Sequence, residues 1–349
     1  MRILGIVLGL CLSFTGVAFT GVAQAQMITA VSHSPAGDVL LVAGDNRVLY
    51  SLDPVTLEVT DRRHVPGLIR WLGHSADGRT VFFRTDDRVF EARSAGSFKL
   101  RYSLQDISQV SHARDANRIA LMENGYKGGV VHLLQAENGK SMMRVELLDI
   151  KTDVIALNAD ASRALILTKS AKSESEPNES PPGDLKGHDK YLFQQQKDGY
   201  VSTVIDLDLK AGTFKSVDTS YRVSFPAQVT MMGGRAAILN GRHDSALLTP
   251  DGTTQLINMG KDYVAAARIS ADGTTMMLTS ANKVAFHDLS DGAVGLPQRE
   301  VEADKMPGPA ERVTAFDEAP DGTVYFGTSA YRLWKIAPDA TEIEAIAVY

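Results

Sequence analysis

The chain is poor in several things that usually announce a function. It has one cysteine, Cys11, in 349 residues. That residue lies inside an N-terminal stretch that reads as a leader, so a chain cleaved behind it has no thiol. Disulfides, thiolate metal sites and a cysteine nucleophile are then excluded. Aromatic residues make up only 7% and the net charge is −6, with the densest basic group being Arg62-Arg63-His64. No basic stripe interleaved with aromatics occurs, which argues against nucleic acid as a partner. Sustained helical periodicity is missing. So are Gly-x-Ser-x-Gly, His-Glu-x-x-His and a phosphate-cradling glycine loop.

The long hydrophobic run that does occur is at the start. Arg2 precedes a stretch, Ile3 to Val22, that is apolar or small throughout, and Ala23-Gln24-Ala25 follows. This is the pattern of a signal peptide over residues 1–25, with cleavage near Ala25 and a chain starting at Gln26. Export to the periplasm or secretion follows. The alternative is a retained anchor, because the run approaches membrane-spanning length. Cys11 follows Leu10 within the apolar core, which does not suit a lipoprotein. No second hydrophobic span follows, so no membrane span is expected after cleavage.

What is present is repetition. The clearest copies are HSPAGDVLLVAGDNRVLYSLD from His33, HSADGRTVFFRTDDRVFEARS from His74, ISADGTTMMLTSANKVAFHDLS from Ile269 and APDGTVYFGTSAYRLWKIAP from Ala319. Each has a polar turn, an apolar run, a second turn and another apolar run. The runs are short, rich in β-branched and aromatic residues, and bounded by Gly, Asp, Asn and Ser, which marks strands. The second strand of each unit is expected at Val39–Ala43, Thr80–Arg84, Arg118–Met122, Arg163–Thr168, Arg235–Leu239, Thr274–Leu278 and Thr323–Phe326. Seven four-stranded antiparallel units of roughly 40 residues predict an all-β, seven-bladed β-propeller over 26–349. The expected blades are 26–66, 67–105, 106–152, 153–221, 222–261, 262–308 and 309–349. Each unit runs from its first strand to its fourth, so no strand is exchanged between the terminal units.

The Ser-x-Asp-Gly turns (Ser75–Gly78, Ser270–Gly273) and the endings LYSLD, VIDLD, FHDLS and LWKIA resemble the WD40-like and YVTN-type propeller superfamily. Asp45–Val59 is most similar to a YVTN unit. The Gly-His and Trp-Asp pair of WD40 repeats is missing, and Trp334 precedes a lysine. The resemblance implies a fold and carries little about activity.

Unit 4 is interrupted between its second and third strands, over 169–200. The first part is polar, charged and broken by Pro-Pro; the second contains Lys190, Tyr191 and Phe193. Insertions this long are commonly functional or flexible. Lys190, Tyr191 and Phe193 are therefore candidate binding residues.

Three histidines, His33, His74 and His112, occupy one repeat position, where units 4 and 6 have Leu157 and Ile269. The position is read as inward-facing. Three imidazoles at one level could converge on a metal; otherwise each is satisfied locally. The methionine pairs Met142-Met143, Met231-Met232 and Met276-Met277 would split across strand faces and fill cores. The aspartates at turns, such as Asp45, Asp272 and Asp321, are read as turn formers.

The expected function is an exported, non-catalytic binding or scaffold protein with a protein partner in the periplasm or envelope and no cofactor. One alternative is a propeller enzyme or accessory, such as a YVTN-like lactone hydrolase or an oxidation-pathway accessory, whose site would be assembled from single residues on several inner strands. The other is a metal-binding propeller.

Overall fold

The computed structural model describes residues 27–125, 128–148, 150, 152–168, 171–172, 200–201, 203–218, 228–232, 235–239, 246–248, 254–256, 266–270, 272–280, 282–289, 296–305 and 311–348. The expected leader lies outside them. Among the described residues there are strands and no α-helix. Sheet 1 comprises β1 (Ile28–His33), β2 (Leu40–Gly44), β3 (Val48–Leu52) and β4 (Val59–His64). Sheet 2 comprises β5 (Ile69–His74), β6 (Thr80–Thr85), β7 (Phe90–Ser94) and β8 (Leu100–Leu104). Sheet 3 comprises β9 (Ile107–Ala113), β10 (Arg118–Gly125), β11 (Gly128–Gln135) and β12 (Ser141–Leu148).

Sheet 4 begins with β13 (Thr152–Leu157) and β14 (Arg163–Thr168). A small ribbon, β15 (Ala171–Lys172) with β16 (Tyr200–Val201), precedes its last strands, β17 (Thr203–Asp208) and β18 (Thr213–Asp218). Sheet 5 comprises β19 (Gln228–Met232), β20 (Arg235–Leu239), β21 (Ala246–Leu248) and β22 (Thr254–Leu256). Sheet 6 comprises β23 (Ala266–Ile269), β24 (Thr275–Ser280), β25 (Lys283–Asp288) and β26 (Pro297–Glu302). Sheet 7 comprises β27 (Val313–Glu318), β28 (Val324–Thr328), β29 (Arg332–Ile336) and β30 (Glu344–Ala347). Among the described residues all seven are four-stranded antiparallel sheets, consecutive in strand order except in sheet 4, where β15 and β16 intervene. The all-β, four-stranded antiparallel expectation holds, and the strand positions fall within a few residues of those read from the repeats.

The turn from first to second strand is built the same way in several sheets. Ser75 Oγ donates to Asp77 (2.6 Å) and accepts the N–H of Thr80 (2.9 Å); Ser270 does the same with Asp272 (2.5 Å) and Thr275 (3.0 Å). In sheet 4 the side chain of Asn158 takes the serine's place, accepting from Arg163 N. Gly78 and Gly273 stand at φ 68° and 76°, a conformation glycine adopts without strain.

Each sheet is too thin to bury itself, so the cores lie between sheets. Period-2 alternation sends neighbouring side chains to opposite seams. Phe83 packs with Ala30, Leu41 and Leu49 of sheet 1, whereas Phe82 packs with Ile107, Ile119 and Leu121 of sheet 3. Burying one such ring contributes about 1.5–3 kcal/mol. Sheets 3 and 4 share Met122, Val131, Ile155 and Ile166. Strand β13 lies against β19, and β19 and β20 lie against β23. Sheets 6 and 7 share Met276, Met277, Phe326 and Trp334.

The seventh sheet then packs on the first. Ile28, Val42 and Leu52 meet Ala315, Tyr325 and Leu333. Thr314 Oγ1 donates to the Ile28 carbonyl, Tyr325 Oη to Pro54 O (3.2 Å) and Lys335 Nζ to Val55 O (3.0 Å). Gly327 permits the close approach: a Cβ there would lie 2.3 Å from Ile28 Cγ2. Gly327→Ala is expected to lower the unfolding free energy by about 1–3 kcal/mol, read from urea denaturation. Gly96→Ala, where a Cβ meets nothing within 4 Å, should leave the midpoint unchanged. Equal effects from the two would contradict the tight seam.

Candidate functional site

The first strands of the sheets end together where each turns into its second strand. The repeat position picked out in the sequence lies there. His33 pairs with Leu40, His74 with Val81, His112 with Ile119, Leu157 with Ala164 and Ile269 with Met276. In sheet 7 the corresponding residue is Glu318, paired with Val324.

The three imidazoles do not converge. His33 is buried and stacks on the Tyr325 ring of sheet 7, with centroids 5.7 Å apart. His74 is buried, its Nδ1 3.0 Å from Ser32 Oγ of sheet 1. His112 stands edge-on to Trp71 and Phe82 of sheet 2 (6.2 and 5.4 Å). Each therefore occupies its own seam. Among the described residues no group of three or more His, Cys, Asp or Glu could hold a metal ion. The rings of His33, His74 and His112, expected as metal ligands, each meet a different neighbouring sheet, which keeps them apart.

Burial disfavours the charged form of all three imidazoles. It lowers the pKa of His33, against the opposing pull of Asp317, and takes His74 and His112 to about 3. Arg114 adds positive charge near all three. Ser32–His74 has the spacing of a hydroxyl and its base. Both groups are buried, and an imidazole titrating near 3 is a poor proton acceptor at neutral pH. His33 Nδ1 and His112 Nε2 are buried without a hydrogen-bond partner.

Sequence reasoning did not single out Arg114 and Asp317, which the fold brings together. Arg114 leaves the end of β9 and reaches Asp317 on β27 at 3.6 Å. The pair joins sheets 3 and 7. Asp317 Oδ2 also accepts the His33 N–H at 2.5 Å. Burial raises the Asp317 carboxyl, and Arg114 and the His33 N–H partly offset it. Equivalent side chains bond the next sheet elsewhere: Ser111 Oγ accepts the Leu157 N–H at 2.8 Å. In sheet 6 the corresponding residue, Arg268, lies over the Phe316 ring (5.4 Å) and burial takes its pKa to about 10. A signal for Asp317 existed: aligning Ala319-Pro320-Asp321-Gly322 with Ser75–Gly78 puts it one residue before the repeat position.

An open cleft of about 280 Å³ adjoins this end, across the seam of sheets 7 and 1. His33, Pro35, Pro54, Asp321, Tyr325 and Lys335 help line it. Its chemistry is mixed: a neutral imidazole, a phenol whose pKa burial lifts to about 12, one cation and one carboxylate.

At the opposite end, β15 and β16 carry the chain away from sheet 4, with Ala171 paired to Val201 and Lys172 to Tyr200. Lys190, Tyr191 and Phe193 lie outside the described residues. No known family model matches the chain, and no curated protein is similar to it.

The histidines give stability a definite pH dependence. An unfolded imidazole titrates near 6.5, the buried His74 near 3, so the unfolded chain binds more protons between these values. Stability is complete above about 6.5 and drains as the pH falls towards 3. Asp317, raised above 3.8, works in the opposite sense, costing stability at neutral pH and easing as the solution acidifies. Between pH 7 and 5, His74 alone should remove about 2 kcal/mol of unfolding free energy. His74→Asn should flatten the pH profile by that amount in urea titrations. An unchanged slope would contradict a neutral, buried His74.

Proposed function

We propose that this chain is a seven-bladed β-propeller of the WD40-like and YVTN type, acting in the cell envelope as a non-catalytic binding protein. It recognises a protein partner at one end of the propeller through the sheet 4 insertion. One observation carries this reading: β15 pairs with β16 and so brings the two ends of the insertion side by side just beyond β14 and β17. A loop closed at its stem loses less freedom on binding than an open one. Its sequence supplies Tyr191 and Phe193, residue types that anchor interfaces, beside the cation Lys190. Neutral, enclosed histidines at the other end suit structural bonding better than proton transfer.

The test uses the full tagged chain and envelope extract of its host, with captured proteins quantified by mass spectrometry. A partner retained by the wild type should be lost from Tyr191→Ala/Phe193→Ala, by about 30-fold or more in affinity, with no change in melting temperature. Deleting residues 171–197 should have the same effect and leave the sheets folded. A partner held equally by all three forms would overturn the role of the insertion.

A further inference from the structure

Sheet 2 breaks a structural habit of its neighbours. The first strands β1, β5, β9, β13 and β27 each carry a one-residue irregularity in their pairing with the second strand. Thr29, Ser108 and Thr314 occupy it in sheets 1, 3 and 7. Thr29 and Ser108 turn the hydroxyl onto a carbonyl of the second strand, Ala43 (3.2 Å) and Met122 (2.8 Å); Thr314 Oγ1 lies 3.0 Å from Gly327 O and also reaches the Ile28 carbonyl of sheet 1. Bulges re-aim side chains, and in sheet 2 the residue at this place is Arg70, which is exposed.

Two more arginines stand at the same end of sheet 2. Arg84 lies one residue further along β6, opposite Trp71, and is half-buried. Its hydrogen bond is a long one, to Thr85 O at 3.4 Å. Arg88 closes the turn after β6, its N–H donating to Thr85 O (3.1 Å) while its own carbonyl accepts from Ile107 N of sheet 3 (2.9 Å). It is thereby fixed at the junction of the two sheets. Burial lowers the pKa of Arg84, and the charges of Arg70 and Arg88 lower it further.

Among the described residues none of the three makes an ion pair. Asp86, whose charge partly opposes theirs, already accepts the Leu68 N–H at 3.0 Å. A half-withdrawn guanidinium with two cations beside it is costly to keep unless an anion joins them.

We propose that Arg70, Arg84 and Arg88 form a binding site for a phosphate-type oxyanion, carried either by a free small molecule or by a lipid headgroup. Planar guanidinium forks meet several oxygens of such a group at once, which a single carboxylate cannot offer to three arginines. The site depends on sheet 2 and its junction with sheet 3, and not on the sheet 4 insertion, so each can fail without the other.

The test takes the full chain with inorganic phosphate, against sodium chloride of equal ionic strength to remove general screening. A second arm uses sedimentation with phosphatidylglycerol–phosphatidylcholine vesicles against phosphatidylcholine alone. Arg70→Gln, Arg88→Gln and the double variant are compared with Arg79→Gln, which lies at the other end of sheet 2 beside Asp77 (3.9 Å). Phosphate should raise the wild-type melting temperature above the chloride control, and the double variant should bind at least about tenfold more weakly. Its unliganded melting temperature should be no lower than that of the wild type. Binding of phosphate without vesicles assigns a free ligand; vesicle binding that the double variant loses assigns a headgroup. No binding in either arm, equal binding by the double variant, or an equal loss in Arg79→Gln would overturn the site.

Discussion

The structure depends on packing its seventh sheet against its first with, among the described residues, no strand lent across the join. The first and last sheets are each a consecutive run of chain, so they are tied by face-to-face packing and a few cross-seam bonds. Ile28 and Gly327 meet with no room for a further carbon. Around them, Thr314 bonds the backbone of β1, and Asp317 holds the N–H of His33 across 284 residues of sequence. Loop-closure entropy makes such a join slow to form. Fitted surfaces then have to stabilise it, because among the described residues no ladder joins the two sheets.

The same constraint explains why polar groups gather where the first strands end. A seam between two sheets leaves backbone N–H groups of one facing side chains of the other. Asp317 serves His33 and Ser111 serves Leu157, while Ser32 meets the ring of His74. The side chain one residue before the repeat position thus bonds the following sheet. Arg114 adds a longer tie from sheet 3 to sheet 7. The polar set acts first as a fastening and leaves its imidazoles neutral. Departures from the repeat at the far end, Arg70 in place of a hydroxyl and the insertion mounted on β15 and β16, are where binding is proposed.

Much of the architecture was legible because it repeats. Short β-branched runs between Ser-x-Asp-Gly turns define strands, and the turn serine and aspartate bond as that spacing requires. Met142 and Met143 split as strand alternation demands, one exposed and the other packed against the core of sheets 3 and 4. The repeat position of the histidines is buried at His33 and His74. Its chemistry was not legible, because spacing along the chain does not tell whether equivalent side chains meet or lie in separate seams. The pairing of Arg114 with Asp317 was not legible for a related reason: it joins sheets 3 and 7, which no local pattern links. Arg70 was missed because a bulge, not a motif, sets it at the end of sheet 2 that also carries Arg84 and Arg88.

Native-state hydrogen exchange across the seam tests the central claim most directly. Peptides from Ile28–His33 and Val313–Glu318 should open together, with matching protection that Gly327→Ala lowers in both while Gly96→Ala spares it. Exchange of one strand independently of the other, or protection in both unaffected by Gly327→Ala, would contradict closure by the packing of sheet 7 on sheet 1.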